Sequence, residues 1–308
     1  MDGIPLSVPQ MLDRAIGHGI PVVPGSAVVD ESGWDFRVVH CTDGRGRKWI
    51  LRSPRRAEVP VRAAVEARLL ELLHGRLPVR LPEWRVHEPE LTVYPRLPGS
   101  AAGTEHPETL RYRWAIDPLA RTADYLGALG RVLVTLHSVP ARDAIATGVP
   151  EVSARLSRER AERELREADE VFGLPAERYR RWRRWLADDA AWPAETVLVH
   201  GDVHPGHTLV TRTPDGGGRL SGLLDWTNSQ LGDPALDFVD MYYAGGPDVL
   251  DALLRAYREH GGRVPEGMRD RIVMRGAFLW VHVALLGRRT DRPNLVNTAA
   301  AHLLGAAP

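Results

Sequence analysis

The sequence predicts an α+β fold in two lobes: a small antiparallel-sheet N-terminal lobe with one main helix, then a larger, mainly helical C-terminal lobe. Three observations predict it. Apolar-rich extended runs at 36–42 and 48–52 flank Asp43-Gly44-Arg45-Gly46, which is a hairpin signal. A helical spacing follows the hairpin directly. From Pro118 onward the texture changes to long three- and four-residue apolar periodicities.

The elements follow in chain order. Pro60 opens a stretch in which Val61, Val65, Leu69 and Leu72 recur at helical spacing, and Gly75 stands where a helix would end. Short extended runs follow at 80–86 and 91–94, before Pro95, Pro98 and Gly99 break regularity. The lobe boundary is placed there, with an N-terminal lobe over 1–98, a hinge at 94–98, and a C-terminal lobe over 99–308. One long buried helix is expected over 119–137. The stretch 153–171 is dense in Arg and Glu and reads as a solvated helix, with Arg158, Glu162 and Arg166 at four-residue steps. Extended segments at 197–200 and 220–224 flank the turn Asp215-Gly216-Gly217-Gly218, and from Ala235 the pattern is helical again. No internal repeat is present.

Composition bounds the function. The chain has 308 residues, and 40 Lys+Arg balance 40 Asp+Glu, so no broad electrostatic footprint for nucleic acid is expected. Cys41 is the single cysteine, which excludes an internal disulfide and predicts a buried structural thiol. The N-terminus has no basic leader followed by an apolar stretch, and no later run approaches the ~20 apolar residues of a membrane span. A cytoplasmic protein that engages neither membrane nor nucleic acid is the expectation. Lys48 is the only lysine, every other basic residue being arginine.

The chemistry sits on the two extended segments of the second half. His200-Gly201-Asp202-Val203-His204-Pro205-Gly206-His207 follows an apolar strand, and Leu223-Leu224-Asp225-Trp226 ends the next hairpin. Gly201, and the Pro205-Gly206 pair, make a tight loop that holds one carboxylate outward, lets His207 turn back beside it, and leaves the hairpin to return Asp225 to the same edge. Phosphoryl transfer to an alcohol requires this set. One carboxylate orients the hydroxyl and takes its proton, and two side chains hold a divalent metal on the nucleotide phosphates. Protein kinases place a base aspartate, a metal-binding asparagine five residues on and a metal aspartate after the next strand pair. Asp202, His207 and Asp225 fill those slots, with histidine replacing asparagine, so the predicted two-lobed fold is protein-kinase-like.

The segments HGDVHPGHTLV, GLLDW and GDPALDF resemble the aminoglycoside phosphotransferase superfamily. His207, with Asp225-Trp226-Thr227, resembles the narrower macrolide 2′-phosphotransferase family, in which the loop ends Pro-Gly-His and the later motif reads Asp-Trp-Thr. Asp35-Phe36-Arg37-Val38-Val39, Thr42-Asp43-Gly44 and the run from Trp49 to Arg56 look like that family's nucleotide lobe, so the similarity spans both lobes. The resemblance implies transfer of the γ-phosphate of GTP, with ATP as the alternative donor and Mg²⁺ as cofactor, to the 2′-hydroxyl of a macrolide amino sugar. A monomer is expected, with a macrolide antibiotic and a purine nucleoside triphosphate as its partners. Two other readings stay open at this stage: a related small-molecule kinase acting on another alcohol such as an aminoglycoside, and an inactive nucleotide-binding protein.

On the nucleotide side, kinase-like enzymes pair a strand-borne cation with a helix glutamate. Arg52 takes the cation's place, with Lys48 as the alternative, and Glu66 lies 14 residues beyond Arg52. No Gly-x-Gly-x-x-Gly is present, and the turn 30–34 is the candidate phosphate-covering loop. Tyr94, Pro95, Arg96 and Leu97 are expected to form the hinge whose backbone meets the purine. On the acceptor side, Asp237 is assigned either to the substrate amine or to bracing the Asp202 loop, and Asp233 to bracing. Asp240, Met241, Tyr242, Tyr243 and Trp280 are candidates for the cleft wall.

Overall fold

The structure is a computed structural model that describes residues 5–31, 33, 35–120 and 124–305. Helix α1 (Val8–Gly17) opens on a capping box in which the Ser7 side chain accepts from Gln10 N while the Gln10 side chain accepts from Ser7 N. Strands β1 (Val28–Asp30), β2 (Phe36–Thr42) and β3 (Lys48–Pro54) follow, then α2 (Val59–Leu73), β4 (Val86–Glu88) and β5 (Leu91–Pro95). The five strands form one antiparallel sheet in the order β1-β2-β3-β5-β4. The predicted hairpin is built on Asp43, whose Oδ1 accepts from Arg45 N and Arg47 N at 2.9 Å each and whose Oδ2 accepts from Trp49 Nε1 at 3.1 Å.

Strand alternation sorts β3 between two faces. Trp49 and Leu51 pack with Met11, Leu12 and Ala15 of α1, and Cys41 joins them, its thiol pushed up to about 11 by burial and the Asp43 charge. Arg52 points to the other face, over the Phe36 ring at 3.9 Å. There the helix differs from its sequence reading. Val61 is 71% exposed, and the buried face is Val59, Ala63, Glu66, Leu69, Leu70 and Leu73. The helix is rotated because that face carries a carboxylate that must meet Arg52, so apolar spacing alone misplaces its seam. The run 80–86 also differs. Only Val86 enters the sheet, while Arg80 makes an isolated bridge to Gly222 and Pro82 has no N–H to offer a ladder.

The chain leaves the sheet at Pro95 and reaches β6 (Ser100–Ala101), which pairs with a strand of the C-terminal half, and then the hairpin β7 (Gly103–Glu105) and β8 (Tyr112–Trp114). The helix expected from Leu119 is shorter than predicted. Leu119 sits in a turn whose N–H donates to Asp117 Oδ1, and α3 is Tyr125–His137. Helix α4 (Ala141–Thr147) leads to α5 (Ala154–Phe172), capped by Ser153 and buried only at Leu165 and Ala168, as its charge pattern predicts. Helix α6 (Ala176–Ala187) precedes β9 (Val197–Val199), β10 (Thr208–Arg212), β11 (Gly218–Leu223) and β12 (Gln230–Gly232). Strand β10 lies between β11 and β6, and β9 pairs with β12. Helices α7 (Leu236–Glu259), α8 (Met268–Arg289) and α9 (Pro293–Leu304) complete the lobe, α7 being broken at Gly246-Pro247. The core below the site is formed by Leu129 and Leu133 of α3, Phe238 and Met241 of α7, and Val203 of the β9–β10 loop. No helix among the described residues is long and apolar enough to cross a membrane.

Candidate active site

The loop between β9 and β10 holds Asp202 from beneath and from both sides. Asp237, at the first turn of α7 and with no exposed surface, accepts from Gly201 N at 2.7 Å, His200 N at 3.0 Å and His137 Nε2 at 3.0 Å. Its oxygens are consumed by the loop and by α3, so of the two roles open to Asp237 its contacts fit bracing, and no face is left for a substrate amine. Gly201 is required by the same approach, with φ +81° and a Cβ that would meet Asn228 O at 2.5 Å. His200 is buried against Trp226, donates Nε2–H to Leu224 O at 2.9 Å and accepts Asp202 N on Nδ1 at 3.2 Å. The first of these bonds joins the loop to the segment that follows β11, and the second closes the loop on itself.

Asp202 is 28% exposed on its side chain and accepts from Asn228 Nδ2 at 3.0 Å on Oδ2. Burial, reinforced by the Asp225 charge, holds its carboxyl above the ordinary aspartate range against the opposing pull of His207. His207 turns back as expected. Its Nδ1 lies 3.0 Å from Asp202 O, and a carbonyl only accepts, so Nδ1–H donates. In the neutral ring that leaves the Nε2 lone pair facing Asp225 Oδ2 at 3.8 Å. Asp225 adopts φ +59°, a left-handed conformation that aspartate tolerates better than most residues, and its Oδ1 accepts from the Thr227 hydroxyl. Burial opposes its ionisation, but His207, the Arg52 guanidinium and the Thr227 hydroxyl together hold its carboxyl below the usual range.

One imidazole nitrogen and one ionised carboxylate oxygen, both partly accessible and 3.8 Å apart, form a donor set that fits a divalent cation. A second grouping, Asp202 with His204 and His207, also lies within ligand distance. Its chemistry differs. His204 Nδ1 accepts from Gly206 N at 3.0 Å, and burial and the neighbouring His207 hold its pKa well below the ordinary imidazole value. The ring is therefore neutral with its proton on Nε2, which faces Asp202 Oδ1 at 3.7 Å. Both nitrogens turned toward Asp202 carry hydrogen, His207 Nδ1–H donating to the Asp202 backbone carbonyl and His204 Nε2–H standing 3.7 Å from Oδ1, so neither offers a lone pair to a metal.

Across the cleft, Arg52 rather than Lys48 meets Glu66. Nη1 and Nη2 lie 3.2 and 3.4 Å from Oε1 and Oε2, while Lys48 is exposed at the far end of β3. Glu66 Oε1 also accepts Trp226 N at 3.3 Å, which joins α2 to the Asp225 motif. Tyr94 is buried with its hydroxyl beside Arg52, burial raising its pKa to about 12, and Arg96 N donates to Lys48 O at 2.9 Å. Pro95 and Leu97 are half-buried beyond them. In the turn 30–34, Glu31 accepts from Arg37 and Arg55, and Ser32 and Trp34 lie outside the described residues.

On the acceptor side the β7–β8 hairpin is tied to the loop by Gly103 N donating to Pro205 O at 3.1 Å. It brings Glu105 opposite Tyr112, and the Tyr112 ring stands 5.3 Å from His204 and 6.2 Å from Tyr243. Glu105 lies on the rim with its carboxyl toward Asp202 and Tyr112. The residue is exposed overall, and partial loss of water at its carboxyl together with the Asp202 charge raises it to about 7. Asp240 is half-buried, and burial with the charges of Asp202 and Glu105 raises it well above the aspartate range. Tyr242 and Tyr243 are half-buried, Met241 is fully buried in the core, and Trp280 is 8% exposed. Trp280 stacks on His302 at 3.7 Å and belongs to the helical core, reaching the cleft only through Tyr243 at 5.6 Å. Glu105 and Tyr112 are the residues that sequence reading misses; they stand in three-residue strands too short to show a period. Asp233 pairs with Arg271 and Arg275 at 2.9 Å each and fixes the start of α7 to α8.

The chain is similar to known proteins over most of its length. The macrolide 2′-phosphotransferase MphH from Brachybacterium faecium is similar at 35% identity and a TM-score of 0.82, over 97% of this chain and 99% of that one. A macrolide 2′-phosphotransferase type I structure is similar at 33% identity and a TM-score of 0.84, over 97% of each chain. An uncharacterised protein of Bacillus subtilis strain 168, YcbJ, is 33% identical over 292 residues, 95% of this chain and 94% of its own. Residues 26–271 match the model of the APH phosphotransferase enzyme family. With its HGD loop, the Asp225 carboxylate facing it and its two-lobed kinase-like fold in place, the chain belongs to the APH phosphotransferase family.

Proposed function

We propose that the protein transfers the γ-phosphate of GTP to the 2′-hydroxyl of a macrolide amino sugar. The observation that carries this reading is the meeting of Asp202, His207 and Asp225 in one cleft, in a chain similar along 97% of its length to two macrolide 2′-phosphotransferases. Asp202 orients the acceptor hydroxyl and receives its proton. His207 Nε2 and Asp225 would hold Mg²⁺, whose chemistry when bound is to neutralise charge on the phosphates. Arg52, fixed by Glu66 and stacked on Phe36, presents an always-charged guanidinium to the phosphate end of the cleft. The backbone of Tyr94 to Leu97 meets the purine.

Glu105, which gains its charge as pH rises through about 7, stands at the acceptor end with the Tyr112 and Tyr243 rings, and its ionised form suits a cationic dimethylamino sugar on an apolar body. Purified protein with GTP, Mg²⁺ and erythromycin-like macrolides is expected to give a singly phosphorylated product by mass spectrometry. A panel of macrolides that yields nothing above an Asp202→Ala control, while an aminoglycoside or another alcohol is phosphorylated, sinks the macrolide assignment.

A further inference from the structure

His204 of the catalytic loop has no part in the kinase-like arrangement of Asp202, His207 and Asp225. Its position is nevertheless determined on every side. The ring lies against His207 at a centroid distance of 3.8 Å with the planes tilted by 39°, faces Tyr112 at 5.3 Å, and only 16% of the side chain is exposed. Gly206 N donates to Nδ1 at 3.0 Å, which fixes the tautomer. The ring can fold over residue 206 only because that residue is glycine, since a Cβ there would meet His204 Cε1 at 2.8 Å. The result is an Nε2–H held 3.7 Å from Asp202 Oδ1.

That separation is too long for a hydrogen bond and suits one atom between the two groups. An oxygen about 2.8 Å from each would sit within hydrogen-bonding distance of both. The other carboxylate oxygen is engaged, since Oδ2 accepts from Asn228 at 3.0 Å and lies 3.7 Å from His207 Nδ1. Oδ1 is thus the oxygen left to act as base, and it faces the His204 Nε2–H donor at 3.7 Å.

We propose that His204 Nε2–H and Asp202 Oδ1 form a two-point seat for the oxygen of the acceptor alcohol, which makes His204 a catalytic residue of the transfer. The acceptor hydroxyl gives its hydrogen to Oδ1 and takes one hydrogen bond from Nε2–H on a lone pair. Its remaining lone pair is directed at the γ-phosphorus. In the transfer the O–H bond breaks and its proton passes to the Asp202 carboxylate as the new O–P bond forms. The bond from phosphorus to the β-phosphate bridging oxygen breaks, and the nucleoside diphosphate leaves with that electron pair. The seat holds the alcohol in one orientation, a contribution distinct from the basicity of Asp202. This assignment rests on the phosphotransferase reading and is independent of which alcohol is accepted.

Two substitutions separate a donor from a loop strut. In His204→Gln the amide nitrogen reaches the place of Nε2, keeping the donor and losing the acceptor for Gly206 N. In His204→Asn the amide oxygen takes the place of Nδ1, keeping the loop bond and losing the donor. With whichever alcohol the wild-type protein phosphorylates, His204→Gln is expected to keep kcat within about tenfold, and His204→Asn to lose about 10²-fold in kcat with nucleotide Kd unchanged. The inference is overturned if His204→Asn retains wild-type kcat, or if a folded His204→Gln falls as far as His204→Asn. If either variant fails to fold, the wild-type protein decides. In ¹⁵N-histidine spectra with a non-hydrolysable nucleotide, adding acceptor must move the His204 Nε2–H resonance, and an unmoved resonance refutes the seat. Absence of product from macrolides alone strikes the macrolide assignment and leaves this test standing with the alcohol that reacts.

Discussion

At Asp202 the chemistry and the stability of a single side chain separate. In the role proposed for it the carboxylate must be ionised to accept a proton, yet burial and Asp225 favour the protonated form. The logarithm of kcat/KM is therefore expected to rise with pH along a limb centred above the ~3.9 of a free aspartate, and a limb at or below that value contradicts the arrangement. Asp202→Asn keeps an acceptor for Asn228 and removes a charge that the fold disfavours. It is expected to lower kcat about 10²–10⁴-fold while the melting temperature stays equal or rises, as calorimetry can establish. Asp225 is the opposite case. Its pKa is depressed in the folded state, so it adds stability above the ~3.9 of an unfolded aspartate, and that stability is lost as pH falls through the folded value.

Among the elements, the first turn of α7 is what keeps the catalytic loop in shape. Asp237→Ala leaves His200 N, Gly201 N and His137 Nε2 without their acceptor in a site that water does not reach. Stability is expected to fall by about 3 kcal/mol or more, activity falling with it, and a denaturant titration beside that of Asp202→Asn separates the two effects. The pairing of β3 with α2 makes a second prediction. Arg52→Ala is expected to raise the nucleotide KM more than about tenfold, because it leaves Glu66 buried and uncompensated beside Trp226 N, whereas Lys48→Ala leaves it within about twofold. These elements also mark what the sequence makes legible. The hairpin around Asp43 and the order Asp202, His207, Asp225 are written in adjacent residues, so local turn chemistry exposes them. The rotation of α2 is not, because its buried face is set by a partner on β3. Glu105 is hidden for a similar reason, its place depending on a tether between Gly103 and Pro205 that no periodicity records. The two roles left open for Asp237 narrow only when its oxygens are seen to be occupied.

Taken whole, the molecule places a guanidinium on one wall of its cleft and several carboxyl groups on the other. At the acceptor end, Glu105 stands near half ionisation at neutral pH. Its ionised form attracts an ammonium, so the KM of a cationic acceptor is expected to decrease as pH rises through about 7 and to increase with salt as the field is screened. Glu105→Gln should flatten both dependences, and initial rates across pH and ionic strength will register that. Neutral alcohols of similar size are expected to show neither trend. The solitary lysine adds a practical consequence. Lys48 is exposed at the end of β3, and its carbonyl is tied to Arg96 just beyond the point where the chain leaves the sheet. An amine-selective acylating dye therefore has a single side chain to modify, and it would set a reporter beside the strand that joins the two halves of the cleft. Once the α-amino group is blocked, fluorescence from a label on Lys48 would follow nucleotide binding without any cysteine being introduced and without touching Asp202, His207 or Asp225.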